Sequence, residues 1–150
     1  MTKKAMLIIM LILGFVLTMA CKTAPTSTSA PLSTEEALKS LYERFYGDLI
    51  LDGAGTYTVK SGDTLSQIGR SEYQNGFYYP IILLASKDTV VDEDRIRPGM
   101  ELIIPDLQKN LDNVRSRASI KNFLGEVAKI EDDRQRGSTA QGLRDLAASL

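Results

Sequence analysis

The sequence predicts an α+β fold: a βααβ module, with a two-stranded antiparallel sheet and two helices, flanked by additional N- and C-terminal helices. Three observations predict it. Residues 57–60 alternate apolar and polar side chains, which is typical of a strand with one buried face. Residues 101–104 form a second short, mostly apolar run that stops at Pro105. Between these two runs lie two segments with the start signals of helices.

The first helix of the module is predicted to follow a turn at Gly62-Asp63. Thr64 and Gln67 have the spacing of a capping box, in which each side chain bonds the backbone of the other residue. The helix should therefore begin directly after Thr64.

The second helix of the module is predicted to begin near Tyr79-Pro80, because proline suits the first helical position, and to run through Ala85. Residues 81–84 are consecutive apolar residues. A helix that is hydrophobic all round is normally buried. We therefore expect a flanking helix, either the one at 34–46 or a C-terminal one, to cover it.

Residues 33–55 are predicted to form a flanking helix and a loop. Ser33 and Glu36 have the spacing of a capping box, and Gly47 is the expected end of the helix. An amphipathic stripe with helical spacing is formed by Ala37, Leu38, Leu41, Tyr42 and Phe45.

Residues 106–150 are predicted to be a C-terminal helical segment. Its apolar stripe changes phase near Ser119, which indicates either one long helix with a stutter or two helices. The charged run 131–134 is expected to be an exposed end. Ser138 and Gln141 have the spacing of a capping box before a short helix or a frayed tail. The first part of the stripe is formed by Leu107, Leu111, Val114 and Ala118.

The N-terminus has the pattern of an export signal, which we place at residues 1–20. Two lysines precede an apolar run from Ala5 to Met19. The only cysteine, Cys21, follows, and the arrangement resembles a bacterial lipoprotein signal, which implies lipidation of Cys21 and a membrane anchor. A conventional cleaved signal that leaves a free thiol, or an uncleaved anchor, are the alternatives. Residues 21–32 are rich in Thr, Ser, Ala and Pro and are expected to be a flexible tether.

The composition excludes several classes of function. The chain has no histidine and one cysteine, so it cannot form Ser-His or Cys-His nucleophile pairs, histidine-based zinc sites or an internal disulfide. A formal net charge of −1 without a basic stripe argues against a nucleic-acid partner. Hydrolysis by paired carboxylates is chemically possible, but no catalytic motif is present. We interpret the acidic run 92–94 as a solvated loop with a cap, and we expect no metal or other cofactor.

Two strings at the ends of the module carry a family resemblance. Residues 57–68, YTVKSGDTLSQI, look like the opening of a lysin-motif (LysM) module, and residues 96–105, IRPGMELIIP, look like its close. We place the module at residues 56–105. The resemblance implies a βααβ fold and non-catalytic binding of N-acetylglucosamine-containing glycans such as peptidoglycan or chitin. With a bacterial-type export signal, peptidoglycan is the expected ligand.

The resemblance also implies a place for the ligand. In the family, the sugar lies in a shallow groove between the loop before the first helix and the loop before the last strand. Carried over to this sequence, the glycan-binding residues are Gly62, Asp63, Thr64, Leu65, Ile96, Arg97 and Pro98.

These inferences give two candidate functions. The first is a glycan-binding lipoprotein of the cell envelope, held by a lipid on the periplasmic or surface side of a bacterial membrane. The second is a scaffold lipoprotein whose module and flanking helices bind a protein partner such as a cell-wall enzyme. Two features favour the second: Ser86 stands where the family commonly has Asn, and the second helix of the module is apolar nearly all round. The intact run from Gly62 to Leu65 favours the first.

Overall fold

The computed structural model describes residues 33–150. The predicted export signal at 1–20, the lipidation at Cys21 and the tether at 21–32 lie outside the described residues. Within the part of the chain that is described, no helix has the length and apolar character needed to cross a membrane.

The described chain contains six α-helices and one two-stranded sheet, so the predicted α+β fold class is confirmed. In chain order the elements are α1 Thr34–Phe45, β1 Gly55–Thr58, α2 Leu65–Tyr73, α3 Tyr79–Ala85, β2 Glu101–Ile104, α4 Leu107–Asp112, α5 Val114–Asp133 and α6 Gly137–Ser149. Short 3₁₀ turns lie at Tyr46–Asp48, Gly76–Tyr78 and Glu93–Arg95.

The two strands run antiparallel, with Tyr57 opposite Leu102. Leu102 is fully buried and anchors the sheet in the core. Strand β1 ends at Thr58, earlier than the predicted strand, but the pairing continues through Val59, whose N–H donates to the Met100 carbonyl at 2.9 Å. The Gly99 N–H donates to the Val59 carbonyl at 2.8 Å, and Gly99 has a φ of +90°, which a glycine adopts without strain.

Two of the three predicted capping boxes are present, those before α1 and α2. Ser33 accepts from the Glu36 N–H before α1, and Thr64 accepts from the Gln67 N–H at 3.3 Å before α2. Helix α1 ends at Phe45, because the chain tightens there into the 3₁₀ turn Tyr46–Asp48, which contains the predicted end residue Gly47. Local side-chain chemistry therefore fixes where these two helices begin.

Helix α3 is buried over its whole length, from Tyr79 to Ala85. It packs against α2, β2 and α5. The covering helix is thus the C-terminal α5. Helix α1 packs on α5 in turn: the ring centroids of Tyr42 and Phe45 lie 6.1 and 5.5 Å from that of Phe123. The prediction that a flanking helix covers α3 is confirmed.

The C-terminal segment breaks at a different place from the one expected. The helix stops at Asp112 and restarts after Asn113, not near Ser119, because the Asn113 side chain accepts from the Arg115 and Ser116 N–H groups, both at 3.0 Å. The predicted apolar stripe is wrong at two positions, Val114 and Ala118, which are exposed since α5 turns a different face inward. Its buried face is formed by Ser116, Ile120, Phe123, Leu124, Val127, Ala128 and Glu131.

Helix α6 begins at Gly137 and has no side-chain cap, so the predicted capping box of Ser138 and Gln141 is wrong. The chain turns at Gln135, which has a φ of +61°, and enters the helix one residue before Ser138. The helix has 13 residues, and Leu143 is fully buried. This segment is therefore a full part of the core, packed along α5, and not a frayed tail.

A buried amide joins the loop after α1 to the C-terminal helices. Asn110 is fully buried; its Nδ2 donates to the Ile50 carbonyl at 2.9 Å, and its Oδ1 accepts from the Ile50 N–H at 2.8 Å. The Ser116 hydroxyl also donates to this oxygen, at 2.6 Å. One side chain thus satisfies polar groups from three segments.

Replacing Asn110 with leucine is expected to lower the free energy of unfolding by about 3 kcal/mol, because the Ile50 amide and carbonyl lose their partner without gaining water. Urea denaturation measures the change. Gln108→Leu is the matched control, since Gln108 lies exposed on the same helix and bonds only Asp112. A loss for Asn110→Leu no larger than that of the control would contradict the role of this amide.

Candidate functional site

A groove lies where the resemblance predicts it. One wall is the turn before α2 and the first residues of that helix; the other is the 3₁₀ turn before β2 and the residue that follows it. The groove has a volume of about 450 Å³. It is lined by Asp63, Thr64, Leu65, Ser66, Glu93, Asp94 and Ile96.

The structure brings four of the predicted site residues together in this groove, namely Asp63, Thr64, Leu65 and Ile96. The other three, Gly62, Arg97 and Pro98, are exposed in the adjoining loops and do not line it. Three lining residues were not predicted: Ser66, Glu93 and Asp94. Ser66 directly follows the predicted Leu65, which was the available signal for it, whereas Arg95 separates Glu93 and Asp94 from the predicted Ile96.

The first wall is held by its own side chains. The Asp63 carboxylate accepts from the Lys60 N–H and from the Tyr57 hydroxyl, each at 2.8 Å, and these hydrogen bonds lower the pKa of Asp63. Gly62 has a φ of +89°, so the turn requires a residue without a β-carbon. Thr64 is engaged in capping α2. Asp63 and Thr64 therefore build the groove: Asp63 Oδ2 holds the turn, and the Thr64 hydroxyl caps the helix.

The free donors of this wall are backbone amides. The first N–H groups of a helix have no partner within the helix, and Thr64 takes only that of Gln67. The N–H groups of Leu65 and Ser66 thus lie at the groove with no intrahelical acceptor. The Leu65 side chain is buried and forms part of the apolar floor, and Ile96 is half-buried on the opposite side.

The second wall is held from the C-terminal segment by an ionic cluster. Arg136 donates to Glu93 and, at 2.5 Å, to Asp94, while Arg134 donates to Asp92. Both arginines also approach Glu131, at 3.3 and 3.5 Å. We call this cluster the arginine clamp; it consists of Asp92, Glu93, Asp94, Glu131, Arg134 and Arg136.

The clamp corrects two expectations. The acidic run 92–94 is not simply a solvated loop, because Asp92 is only 7 % exposed. The run 131–134 is only partly the exposed end that we expected: α5 ends there and Asp132 and Asp133 are exposed, but Glu131 is only 2 % exposed. The two charged runs contact each other, because Arg134 of one donates to Asp92 of the other, about 40 residues earlier in the sequence. Pairing of opposite charges makes it possible to bury charged side chains.

The environment of the clamp shifts the ionisation of its members. Burial raises the pKa of Glu93, and the nearby Glu131 carboxylate raises it further. The hydrogen bond to Asp94 raises the pKa of Arg136. Burial also raises the pKa of Tyr79, whose hydroxyl makes no hydrogen bond within the described residues.

The raised pKa of Glu93 predicts a pH dependence. The folded protein holds this proton more tightly than the unfolded chain, so the contribution to stability is fully present below the unfolded pKa and is lost as pH rises through the folded one. The Glu93→Gln variant, which keeps the neutral form, should therefore gain stability relative to wild type as pH rises from about 4 to about 8. Urea unfolding at a series of pH values checks this, and a difference that shrinks with rising pH would contradict it.

Ser86, which follows α3, has a definite structural role. It is buried, and its hydroxyl oxygen accepts from the Ile103 N–H at 2.8 Å. Its carbonyl accepts from the Thr89 and Val90 N–H groups at 2.8 and 2.9 Å. Ser86 thus ties the loop after α3 to strand β2.

Within residues 33–150, no three His, Cys, Asp or Glu side chains are arranged so that they could hold a metal ion. Three carboxylates line the groove: those of Glu93 and Asp94 are bonded to Arg136, and that of Asp63 accepts from the Lys60 N–H and the Tyr57 hydroxyl.

Comparison with known proteins identifies the module. The family model described as "LysM domain" matches residues 57–105. Over 50 residues the chain is 48% identical to the potassium binding protein Kbp of Escherichia coli O6:H1, a match that covers 33% of this chain and 34% of that relative. The match therefore spans about a third of each protein. No solved structure matches. LysM domains are binding modules, typically non-catalytic, for peptidoglycan and chitin-like glycans. Residues 57–105 of this chain are a LysM domain.

Proposed function

We propose that this protein binds N-acetylglucosamine-containing cell-wall glycan, and peptidoglycan in particular, in the groove between α2 and Ile96, without catalysing a reaction. The observation that carries the proposal is the pairing of free helix-start amides on one wall with an apolar side chain on the other. An acetamide group needs both a donor for its carbonyl and an apolar contact for its methyl group.

The groove suits that group in detail. The N–H groups of Leu65 and Ser66 donate to the acetamide carbonyl, and the positive end of the α2 dipole reinforces these bonds. Ile96 and the floor at Leu65 contact the acetyl methyl. Asp63 and Thr64 act indirectly, because they hold the turn and the helix start in place.

The proposal includes a lipid anchor at Cys21, supported by the sequence pattern that precedes this cysteine. Several acyl chains on one cysteine anchor a protein stably, whereas one chain binds a membrane only marginally. A tether would raise the effective concentration of a weakly binding single domain next to the cell wall. A Cys21→Ala chain that still partitions into detergent with wild type would contradict the anchor.

The scaffold alternative loses the two features that favoured it. The apolar helix α3 is covered by α5 of the same chain, and Ser86 makes the hydrogen bond that fixes the loop before β2. We therefore propose glycan, and not a cell-wall enzyme, as the partner of this domain.

The name of the Escherichia coli relative states that it binds potassium. We do not extend that activity to this chain, because two of the three carboxylates that line the groove, those of Glu93 and Asp94, are bonded to Arg136. A calorimetric titration of the full chain with KCl gives a direct comparison with glycan.

Removing the apolar contact is expected to weaken glycan binding. Ile96→Ser should lower the affinity for N-acetylglucosamine oligosaccharides by about tenfold, since it removes about two methylene equivalents of contact. Isothermal titration calorimetry of the full chain measures the affinity. Ile103→Ser is the matched control, because Ile103 is also half-buried and lies outside the groove. Equal affinities for the two variants would contradict binding at Ile96.

A further inference from the structure

A second pocket adjoins the groove. It has a volume of about 410 Å³ and is lined by Ser66, Arg70, Gln74, Asn75, Gly76 and Phe77. Ser66 lines both cavities. Because Ser66 and Arg70 are four residues apart on α2, they lie on the same face of the helix. A chain molecule that occupies the groove and continues over Ser66 therefore enters this pocket.

The pocket presents an aromatic ring that is fixed in place. Phe77 is 37 % exposed, one of two large hydrophobic side chains exposed among the described residues. Its N–H donates to the Asn75 side chain at 2.9 Å. The ring lies directly on the backbone of α6: a β-carbon added at Gly142 would come within 2.1 Å of it. The part of the ring that is left open offers a rigid apolar surface of the kind that the apolar face of a sugar ring covers.

The pocket also contains a cationic side chain, that of Arg70. Arg70 is exposed, and its guanidinium makes no ion pair within residues 33–150. Arg134 and Arg136, near the groove, are by contrast bonded to carboxylates. A guanidinium forms two parallel hydrogen bonds to a carboxylate, which no neutral sugar supplies. The polar side chains of Gln74 and Asn75 complete the rim.

We propose that this pocket is a second glycan subsite, and that it takes the carboxylate-bearing sugar next to the N-acetylglucosamine unit in the groove. Phe77 covers the sugar ring, and Arg70 binds the lactyl carboxylate of an N-acetylmuramic acid unit that carries no stem peptide, since a stem peptide converts this carboxyl group into an amide. The inference rests on the proposed function of the groove. It assigns the choice between peptide-free peptidoglycan strands and chitin to Arg70.

The test compares two tetrasaccharides by calorimetry with the full chain: chitotetraose, which has no carboxylate, and a peptide-free tetrasaccharide of alternating N-acetylglucosamine and N-acetylmuramic acid. Wild type should prefer the alternating one. Arg70→Gln should lower affinity for it by about tenfold and leave the affinity for chitotetraose within about twofold. Arg70→Lys should keep part of the preference, since lysine retains the charge but not the planar fork.

Two further variants separate the explanations. Arg117→Gln is the matched control, an exposed arginine on α5 that lines neither cavity, and should change neither affinity. Phe77→Leu should weaken both tetrasaccharides and leave the affinity for N-acetylglucosamine itself unchanged. Wild type that binds neither tetrasaccharide would overturn the proposed function, and the subsite with it. If wild type binds the two tetrasaccharides with equal affinity, and Arg70→Gln binds both with the same affinity as wild type, the subsite is overturned and the proposed function of the groove is not.

Discussion

A chain cut back to residues 54–107 is expected to unfold or self-associate, whereas residues 33–150 stay folded. The cut removes α5, which covers α3, and α3 is buried from end to end. Each leucine or isoleucine returned to water costs about 1.5–3 kcal/mol. The apolar side chains affected are those of Ile81, Ile82, Leu83 and Leu84, and the total stability of a small domain is only about 5–15 kcal/mol.

Size-exclusion chromatography and urea unfolding of the two chains measure this difference. Phe123→Ala in the full chain tests the same contact with a single change, and a loss of about 3–5 kcal/mol is expected because Phe123 is fully buried between α1 and the core. If the chain of residues 54–107 is monomeric and as stable as that of residues 33–150, the LysM domain does not need α5 to cover α3.

The second large effect is expected at the arginine clamp. Arg134→Ala should lower the free energy of unfolding by about 3–5 kcal/mol, because it leaves the buried carboxylate of Asp92 without its cation and leaves Glu131 only the longer contact to Arg136. The side chain of Arg134 is only 15% exposed, so solvent does little to replace it. Equilibrium urea denaturation measures the loss.

Arg144→Ala is the matched control for this variant. Arg144 pairs with Asp132 in the same region, but both side chains are more than two-fifths exposed, and pairs of that kind contribute less than about 1 kcal/mol. If Arg134→Ala costs no more than Arg144→Ala, the clamp does not hold the second wall of the groove.

Local sequence signals predict much of the fold. The capping boxes at Ser33 and Thr64 and the proline at the start of α3 each act on backbone groups within one helical turn, so they can be read without knowing the rest of the fold. Strand β2 is likewise bounded by a turn and a proline. These signals were sufficient to predict the βααβ order.

The parts that could not be predicted depend on distant partners. Glu131 belongs to a charged run, and only the presence of Asp92 and the two arginines makes its burial favourable. Asn110 lies among polar residues, and its burial depends on the Ile50 backbone, 60 residues earlier. The break at Asn113 was missed because the exposed Val114 continued an apolar spacing by coincidence.

In the candidate site, too, some residues could be predicted from local sequence and others depend on distant partners. Asp63, Thr64, Leu65 and Ile96 could be placed because the turn and the strand that hold them are local features. Glu93 and Asp94 could not, since Arg136 from the C-terminal segment fixes them at the groove. The structure shows Asp63 and Thr64 holding the turn and the start of α2, and for this reason we propose the backbone of Leu65 and Ser66 as the direct contacts.

The central claim is that glycan binds at the start of α2, and an NMR titration of the isotope-labelled full chain with chitotetraose tests it most directly. We expect the amide signals of Leu65 and Ser66 and the methyl signals of Ile96 to shift together and saturate at one affinity. Saturable shifts confined to other surfaces, or no shifts at any glycan concentration, would contradict the claim.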